Sequence, residues 1–178
     1  MTKEPTRPNE PDQAALRPLD SETFREAMSR IASAVHLVTT DGPSGRVGAT
    51  ISAMCSVSDD PASILICVNR DSRLHEALLE NRCYCLNTLD PTHEPVSDIF
   101  AGRGEPDMER RFDNLQWISL ATGSPALANA KLSVDCTLET VTEAGTHSIF
   151  VGRVADIRLN EDGHSLLYVR RGYQTLLK

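Results

Sequence analysis

Apolar and polar residues along the chain follow two periods, one typical of helices and one typical of strands. Near the amino end Phe24, Met28 and Ile31 recur at spacings of four and three residues. This predicts an amphipathic helix capped by Asp20 or Ser21. The segments that follow, AVHLVTT, RVGATISAMCSVS and ASILICVN, are rich in β-branched residues and separated by turn residues. They predict a hairpin and further strands, the last of them fully buried.

The middle of the chain predicts helices, and the last third predicts strands again. SRLHEALLENR predicts a second helix with Leu74, Leu78 and Leu79 on one face, and THEPVSDIFA and PDMERRF predict two short helices. CYCLNTL, LSVDCTLETVTEA, THSIFVGRVADIRL and SLLYVRR predict strands, with NEDGH as a turn before the last. Gly48 is expected to interrupt the strand that contains it.

This order of elements predicts the fold class. Six or seven strands with two or three helices between them do not form a βαβ alternation, and the hairpin-like links favour an antiparallel sheet. Closing such a sheet into a barrel removes its exposed edges. We therefore predict an α+β, mainly β fold: an antiparallel split or Greek-key barrel with peripheral helices.

The amino-terminal segment differs in composition from the rest of the chain. Its first 18 residues contain four prolines with charges between them, and they lack the apolar core of a signal peptide. We expect residues 1–18 to be a disordered tail. Residues 19–178 are expected to form one domain, because 178 residues is near the usual domain size. No stretch approaches the ~18 apolar residues of a membrane span.

Charge and cysteine content disfavour several classes of partner. The net charge of −7 and the pI near 5.2 argue against a nucleic-acid or anionic-membrane surface, so neither partner is expected. Five cysteines, an odd number without a secretory signal, indicate reduced thiols in the cytoplasm. Cys83 and Cys85 share a strand face, but no second Cys/His pair has ligand spacing, so no metal site is expected.

Motifs of several common enzyme classes are absent from the sequence. GRGEPD, at residues 102–107, contains G-x-G but lacks the later glycine and the preceding strand of a dinucleotide fingerprint. The chain has no G-x-x-x-x-G-K-[ST], H-E-x-x-H or G-x-S-x-G motif. A nucleoside triphosphatase, a zinc protease and a serine hydrolase are therefore disfavoured.

Two clusters indicate a site for a flat, phosphorylated ligand. GATISAMCSVSDDP concentrates small and hydroxylated side chains, which let a ring lie against the backbone and offer hydrogen bonds. In VNRDSRLHEAL, Asn69 ends a strand, and Asp71 or Ser72 caps a helix whose N-terminus suits phosphate, with Arg70 or Arg73 as counter-charge. Each cluster has an ordinary alternative: an exposed strand with its turn, or a capped surface helix with solvated arginines.

Eight segments, taken in order, resemble the flavin reductase domain of two-component flavin-dependent monooxygenases. They lie between Phe24 and Tyr173 and are AVHLVTT, G-x-T-x-S-x-x-C-S-V-S-x-x-P, LICVNRDS, CLNTL, IFAG, ERRF, GTHSIFVGRV and LLYVRRGY. The resemblance is strongest to the reductase component of 4-hydroxyphenylacetate 3-monooxygenase. Phenol hydroxylase reductases and a cobalt-corrin reductase belong to the same family. One departure is Pro61-Ala62, where relatives often carry Pro-Pro.

The resemblance implies a homodimeric FMN-binding split barrel with the flavin along one strand and its turn. Ser56 and Ser58 would bind the phosphate or ribityl chain, residues 50–53 would offer backbone contacts to the ring, and Asn69 would stand at the phosphate end. Residues 100–102 would border the isoalloxazine. The full set implied for the flavin is Thr39, Thr50, Ile51, Ser52, Ala53, Ser56, Val57, Ser58, Asn69, Ser72, Arg73, Asn87, Phe100, Ala101 and Gly102.

A second pattern in the family, G-D-H-x-x-x-x-G-x-V, borders the nicotinamide. In this chain the pattern consists of Gly145, Thr146, His147, Gly152 and Val154, with Thr146 in place of the usual acid. His147 would hydrogen-bond a carboxamide or pyrophosphate, and Gly152 would leave room for a ring. The alternative is a histidine that merely caps the turn.

The implied activity is that of an NAD(P)H:flavin oxidoreductase, with FMN or FAD as flavin and NADH or NADPH as co-substrate. Hydride would pass between the cofactors without a catalytic side chain, and reduced flavin would supply a partner monooxygenase. Arg170 and Tyr173 would reach the pocket of the neighbouring subunit. Two alternatives stay open: a reductase that retains FMN and reduces another acceptor such as a cobalt-corrin, and a non-enzymatic flavin carrier.

Overall fold

The computed structural model describes residues 19–160 and 163–175, so the predicted tail at residues 1–18 lies outside the described residues. Short 3₁₀ turns lie at Pro91–His93 and Arg110–Phe112. The α-helices are α1 (Ser21–Ser29), α2 (Arg73–Asn81) and α3 (Glu94–Phe100). The strands are β1 (Ser33–Ala34), β2 (His36–Thr40), β3 (Val47–Ile51), β4 (Met54–Asp59), β5 (Ala62–Asn69), β6 (Cys83–Thr88), β7 (Trp117–Ser119), β8 (Pro125–Leu127), β9 (Leu132–Ala144), β10 (His147–Leu159), β11 (Leu166–Val169) and β12 (Gly172–Thr175).

Seven of these strands form one antiparallel sheet in the order β3-β2-β6-β9-β10-β5-β4. Its edge strands β3 and β4 are consecutive in the chain and are joined by Ser52 and Ala53 alone. That link spans at most ~11 Å, whereas the edges of a flat seven-stranded sheet would lie about 28 Å apart. The sheet therefore curls into a barrel that stays open along a seam between β3 and β4, which confirms the predicted antiparallel barrel.

Side chains on the two faces of the curled sheet form two cores. One core includes Leu74, Ala77 and Leu78 of α2, so this helix covers one face of the sheet. The other core lies beneath α3, β8 and β11. Residues of the first core include Val38, Ile66, Tyr84, Leu86, Val134, Cys136 and Phe150, and residues of the second include Leu37, Leu89, Phe100, Phe112, Leu127 and Leu166.

Two details of the predicted elements were wrong. Strand β3 continues through Gly48 and ends at Ile51, because Gly48 is needed for packing: a Cβ there would lie 2.8 Å from Phe100 Cε1. Leu79 is exposed, because the face of α2 that packs on the core carries Leu74, Ala77 and Leu78 and leaves Leu79 to one side. The short strands β7, β8 and β12 were not predicted, since each has too few residues to show a period.

The first helix begins at its predicted cap and buries none of its residues. Asp20 Oδ1 accepts from the backbone N–H groups of Glu22 and Thr23, each at 2.9 Å. Phe24, Met28 and Ile31, the predicted apolar face, are about half exposed. None of the helices in the described part of the chain is long and apolar enough to span a bilayer.

Candidate functional site

A groove lies along the open seam of the barrel and has two compartments. The larger, of about 320 Å³, lies at the N-terminus of α2, and we call it the helix-end compartment. The smaller, of about 180 Å³, lies beside Tyr168 and Tyr173, and we call it the tyrosine compartment. Both are lined by Thr50, Ile51 and Ser52, so the end of β3 forms a common wall.

The helix-end compartment combines small side chains with polar groups at a helix terminus. Ser72 caps α2: its Oγ donates to Asn69 O at 2.7 Å and accepts from His75 N at 3.2 Å. Asn69 Oδ1 accepts from Asp71 N at 3.0 Å, which leaves the amide N–H donors of Asn69 for a ligand. Of the two predicted caps, Asp71 and Ser72, the structure shows Ser72, and the compartment has polar donors where an anion is favoured.

His147 stands at the first position of β10 and lines the same compartment. It is paired in register with Asn69 of β5, so the antiparallel ladder brings these two side chains to one end of the sheet. Thr146 Oγ1 lies 2.9 Å from His147 Nδ1. Arg70 N donates to Thr146 O at 3.0 Å. The side chain of His147 is exposed, and Nε2 is its nitrogen left for a ligand.

The tyrosine compartment is walled by two tyrosine rings that meet edge to face. Tyr168 and Tyr173 are directly opposite across the β11–β12 hairpin, with ring centroids 5.5 Å apart in an edge arrangement. Val35 and Ile51 add apolar surface, and Ala101 lies at the end of α3. A flat, largely apolar group fits this lining.

A hydrogen-bond chain holds this compartment together. Tyr173 Oη lies 2.8 Å from Ser97 Oγ and donates to Asp98 Oδ1 at 2.8 Å. Arg103 Nη1 donates to the same Asp98 oxygen at 2.9 Å, and Thr50 Oγ1 donates to Ser97 O at 2.7 Å. Burial raises the pKa of the Tyr173 phenol. The chain therefore ties β12, α3 and β3 to one another around the groove.

The structure brings nine of the predicted site residues to the groove. Thr50, Ile51 and Ser52 line both compartments. Ala53, Asn69, Ser72 and His147 line the helix-end compartment, and Ala101 and Tyr173 line the tyrosine compartment. These residues come from five separate stretches of sequence that meet at the seam. Tyr173 lines its compartment within its own chain, whereas the prediction placed it in the pocket of the neighbouring subunit.

Two predicted residues are wholly buried and bonded within the protein, which corrects their assignment to a ligand. Thr39 Oγ1 donates to Pro125 O, fastening β2 to β8. Asn87 Oδ1 accepts from Leu127 N and Ser133 Oγ, each at 2.8 Å. Buried polar groups need such partners, and these side chains satisfy one another away from the groove.

Packing accounts for two further predicted residues without a ligand. Phe100 is a core residue whose ring fills the space beside Gly48. A Cβ added to Gly152 would lie 2.5 Å from Tyr84 Oη. The missing side chain of Gly152 therefore makes room for Tyr84 inside the barrel.

The remaining predicted residues lie outside the two compartments. Ser56, Val57 and Ser58 are exposed on β4, and Ser58 Oγ accepts from Asp60 N at 3.1 Å within the following turn. Gly102 and Gly145 have φ of +85° and +60° in turns. Arg73 is exposed at the start of α2, and Arg170 lies beside a separate cavity of about 360 Å³ near α1.

Sequence reasoning missed several groove residues. Val35, Ser97, Arg103 and Tyr168 line the tyrosine compartment, and Cys67, Val68 and Leu74 line the other. A signal existed for Tyr168, because a two-residue turn in YVRRGY places it opposite Tyr173. For Ser97 and Arg103 no local signal exists, since α3 meets β3 through tertiary packing. Within the described residues no three His, Cys, Asp or Glu side chains are grouped to hold a metal ion.

Comparison with protein families identifies the chain. The model of the flavin reductase like domain matches residues 28–177. The chain belongs to this flavin reductase family. A curated relative of this reductase, "FMN reductase (NADH) RutF" of Pantoea ananatis, is 45% identical over 160 residues, covering 90% of this chain and 83% of the relative.

Two solved structures are similar to the reductase over almost the whole domain. BorF, the flavin reductase component of a bacterial two-component tryptophan halogenase, has 32% identity and a TM-score of 0.83, covering 89% of this chain and 99% of that chain. The flavin reductase HpaC in complex with NADP⁺ has 25% identity and a TM-score of 0.79, covering 88% of this chain and 98% of that chain. The family predicted from the eight motifs is confirmed.

Proposed function

We propose that this protein is an NAD(P)H-dependent flavin reductase that binds its flavin in the seam groove. The observation that carries the proposal is the groove itself. The N-terminus of α2 offers N–H donors at one end, Tyr168 and Tyr173 lie at the other, and the end of β3 lines both compartments. The relative named FMN reductase (NADH) supports FMN as the flavin and NADH as the co-substrate.

The residues of the groove fit a flavin. Asn69 offers amide donors, and the unsatisfied N–H groups at the start of α2 suit a phosphate. Ser52 and Ala53 lie between strands and present little side chain, so a flat ring can approach their backbone. Tyr168 and Tyr173 offer ring faces and edges to an aromatic group. We assign the phosphate end to the helix-end compartment and the ring to the common wall and the tyrosine compartment.

The protein contributes binding and orientation to the reaction. When bound, the flavin supplies the hydride acceptor and the nicotinamide supplies the donor. Thr50 is fixed to the α3 backbone through Ser97 O, which holds the ring wall in place. His147, with Nδ1 engaged by Thr146, offers Nε2 to a carboxamide or pyrophosphate of the nicotinamide dinucleotide. No side chain is needed as an acid or base in hydride transfer.

Steady-state oxidation of NADH and NADPH with FMN, FAD and riboflavin tests the activity. We expect oxidation with at least one flavin, with oxygen consumed by the reduced flavin that is released. Asn69→Ala should weaken flavin binding, whereas Asn129→Ala, at an exposed asparagine away from the groove, should not. Absence of oxidation with all three flavins would favour the carrier alternative.

A second candidate function is a reductase that retains its flavin and reduces another acceptor. BorF, a component of a two-component halogenase, supports instead the transfer of reduced flavin to a partner monooxygenase. Gel filtration separates the two: a diffusible flavin should be lost from the protein, and a prosthetic flavin should co-elute at one equivalent per chain.

We further propose a homodimer in the cytoplasm. Several large apolar side chains are about half exposed or more: Phe24 and Met28 on α1, Ile31 just after it, Val57 on the open edge of β4, and Ile157 and Leu159 on β10. A second copy covering such surfaces would also shelter the seam. All five cysteines are free thiols, which suits a reducing compartment.

A further inference from the structure

A hydrogen bond behind the groove connects its two walls. His75 Nε2 lies 2.9 Å from Ser148 Oγ, although the two residues are 73 positions apart in sequence. Ser148 is only 1% exposed. The His75 ring also meets Phe150 edge-on, with centroids 5.2 Å apart at 78°. The pair is therefore held firmly between α2 and β10.

Both members of the pair adjoin groove residues. His75 N is bonded to Ser72 Oγ, so the same residue that contacts Ser148 through its ring supports the cap of α2 through its backbone. Ser148 directly follows His147 in β10. Successive strand side chains point to opposite faces, so Ser148 lies behind the strand while His147 faces the groove. Neither His75 nor Ser148 lines a compartment.

The side chain of His147 has few constraints of its own, whereas its backbone is paired with Asn69 of β5 and Ala144 of β9. It is exposed, it follows the turn at Gly145, and its side-chain bond is to the neighbouring Thr146. These ladders fix the backbone at the start of β10, and the buried Ser148 is the nearest side chain there with a long-range hydrogen bond. A shift of the strand start would move His147 relative to the Ser72 wall.

We propose that His75 and Ser148 are a positioning pair that fixes His147 against the N-terminus of α2 and so sets KM for the nicotinamide dinucleotide. The proposal rests on the nicotinamide role of His147. The bond acts through His147 and not on bound cofactor, so the flavin affinity depends on it much less than the nicotinamide affinity does.

A double-variant cycle tests the coupling. Ser148→Ala and His147→Ala should each raise KM for NADH by about three- to tenfold, the equivalent of one lost hydrogen bond. The combined variant should show no larger change than His147→Ala alone, because the serine acts through the histidine. His75→Phe, which keeps the ring packing on Phe150, should match Ser148→Ala, and Ser148→Thr should restore the wild-type value.

A matched control separates positioning from stability. Ser63 is also buried on the neighbouring β5, and its Oγ donates to Pro61 O at 2.9 Å, far from His147 along the ladder. Ser63→Ala should lower the melting temperature without changing KM. A Ser148→Ala variant that behaves in the same way overturns the proposal, as does a KM effect that persists in the His147→Ala background.

NMR distinguishes failure of the pair from failure of the nicotinamide role. The His147 ring resonance, assigned by its loss in His147→Ala, should shift in Ser148→Ala, while the ring resonances of buried His36 and His93 stay in place. If the resonance shifts in Ser148→Ala but His147→Ala leaves KM for NADH unchanged, the nicotinamide role of His147 is refuted, and with it the proposed control of KM. An unmoved resonance would refute the positioning pair itself.

Discussion

His36 is a buried histidine on β2 whose only described side-chain partner is a hydroxyl, since Nδ1 lies 3.0 Å from Thr88 Oγ1. Burial lowers the pKa of His36 to about 4 from its usual 6.5. Between these values the unfolded chain binds a proton that the folded chain does not. The contribution of neutral His36 to the free energy of unfolding is therefore fully present above pH 6.5 and is lost as the pH falls toward 4.

We expect His36→Gln, which retains a hydrogen-bonding group for Thr88, to flatten this part of the acid profile. The wild type should lose on the order of 3 kcal/mol more than the variant across the window. Urea denaturation at a series of pH values measures the difference. His147→Gln, at an exposed histidine, serves as the control and should keep the wild-type slope. Parallel slopes for His36→Gln and wild type would refute the assignment.

Packing against Tyr84 explains why residue 152 is a glycine, although the family pattern links this glycine to the nicotinamide ring. A Cβ at this position would meet Tyr84 Oη at 2.5 Å and two ring carbons at 2.8 Å. Gly152→Ala should therefore destabilise the fold by about 1–3 kcal/mol, and Tyr84→Phe should recover part of the loss. Gly172→Ala, where the nearest atom to a new Cβ is 3.9 Å away, should be tolerated.

The readouts for Gly152→Ala are the melting temperature and KM for NADH. We expect a lower melting temperature with KM unchanged at a temperature where the variant is folded. A stable variant with a raised KM would instead support the nicotinamide contact that the sequence pattern implied.

At the scale of elements, strand β4 is the open edge of the barrel and carries the serines predicted to bind flavin. Ser56 is exposed in the strand, whereas the Ser58 hydroxyl donates to Asp60 O at 3.0 Å and shapes the turn. If the ribityl chain extends from the common wall onto β4, as the family resemblance implies, Ser56→Ala should weaken flavin binding by about 0.5–1.5 kcal/mol, the value of one net hydrogen bond. Ser58→Ala should cost stability as well as affinity.

Flavin titration by fluorescence and thermal melts measure the two effects. Ser119→Ala, at an exposed serine of β7, is the matched control and should change neither. If the Ser56, Ser58 double variant binds flavin with wild-type affinity, the flavin does not extend along β4, and the assignment of its phosphate to the N-terminus of α2 stands.

At the scale of the whole molecule, the exposed apolar surface supports the proposed homodimer. Sedimentation at micromolar concentration with flavin present should give twice the chain mass of 19.5 kDa. Val57→Lys on β4 should weaken the assembly and the flavin affinity together, because a buried charge at an interface is costly. A monomer in the wild type would contradict the homodimer.

Two further variants locate the interface. Phe24→Lys tests whether α1 shares it. Leu79→Lys, at an exposed leucine on α2, controls for the effect of a new charge and should leave the mass unchanged. If Phe24→Lys dissociates the protein and Val57→Lys does not, the interface lies on α1 and not at the seam edge.

The sequence by itself determined the elements that have a long apolar run or a clear capping or turn residue at their ends. The apolar run ASILICVN, the cap at Ser72 and the turn before His147 are local signals, and the structure confirms each as β5, the N-cap of α2 and the start of β10. The order of eight motifs likewise identified the family, and its small and hydroxylated segment led to the wall of the groove at residues 50–53.

Tertiary structure alone decided which of those residues face the groove. Thr39, Asn87 and Gly152 lie in the expected strands, yet partners distant in sequence, such as Pro125 and Tyr84, take up their polar groups or their space. The curling of the seven-stranded sheet makes the seam, and it brings α3 and the β11–β12 hairpin to β3. No local period encodes such long-range contacts, because hydrophobic patterning specifies which face of an element is buried but not which element buries it.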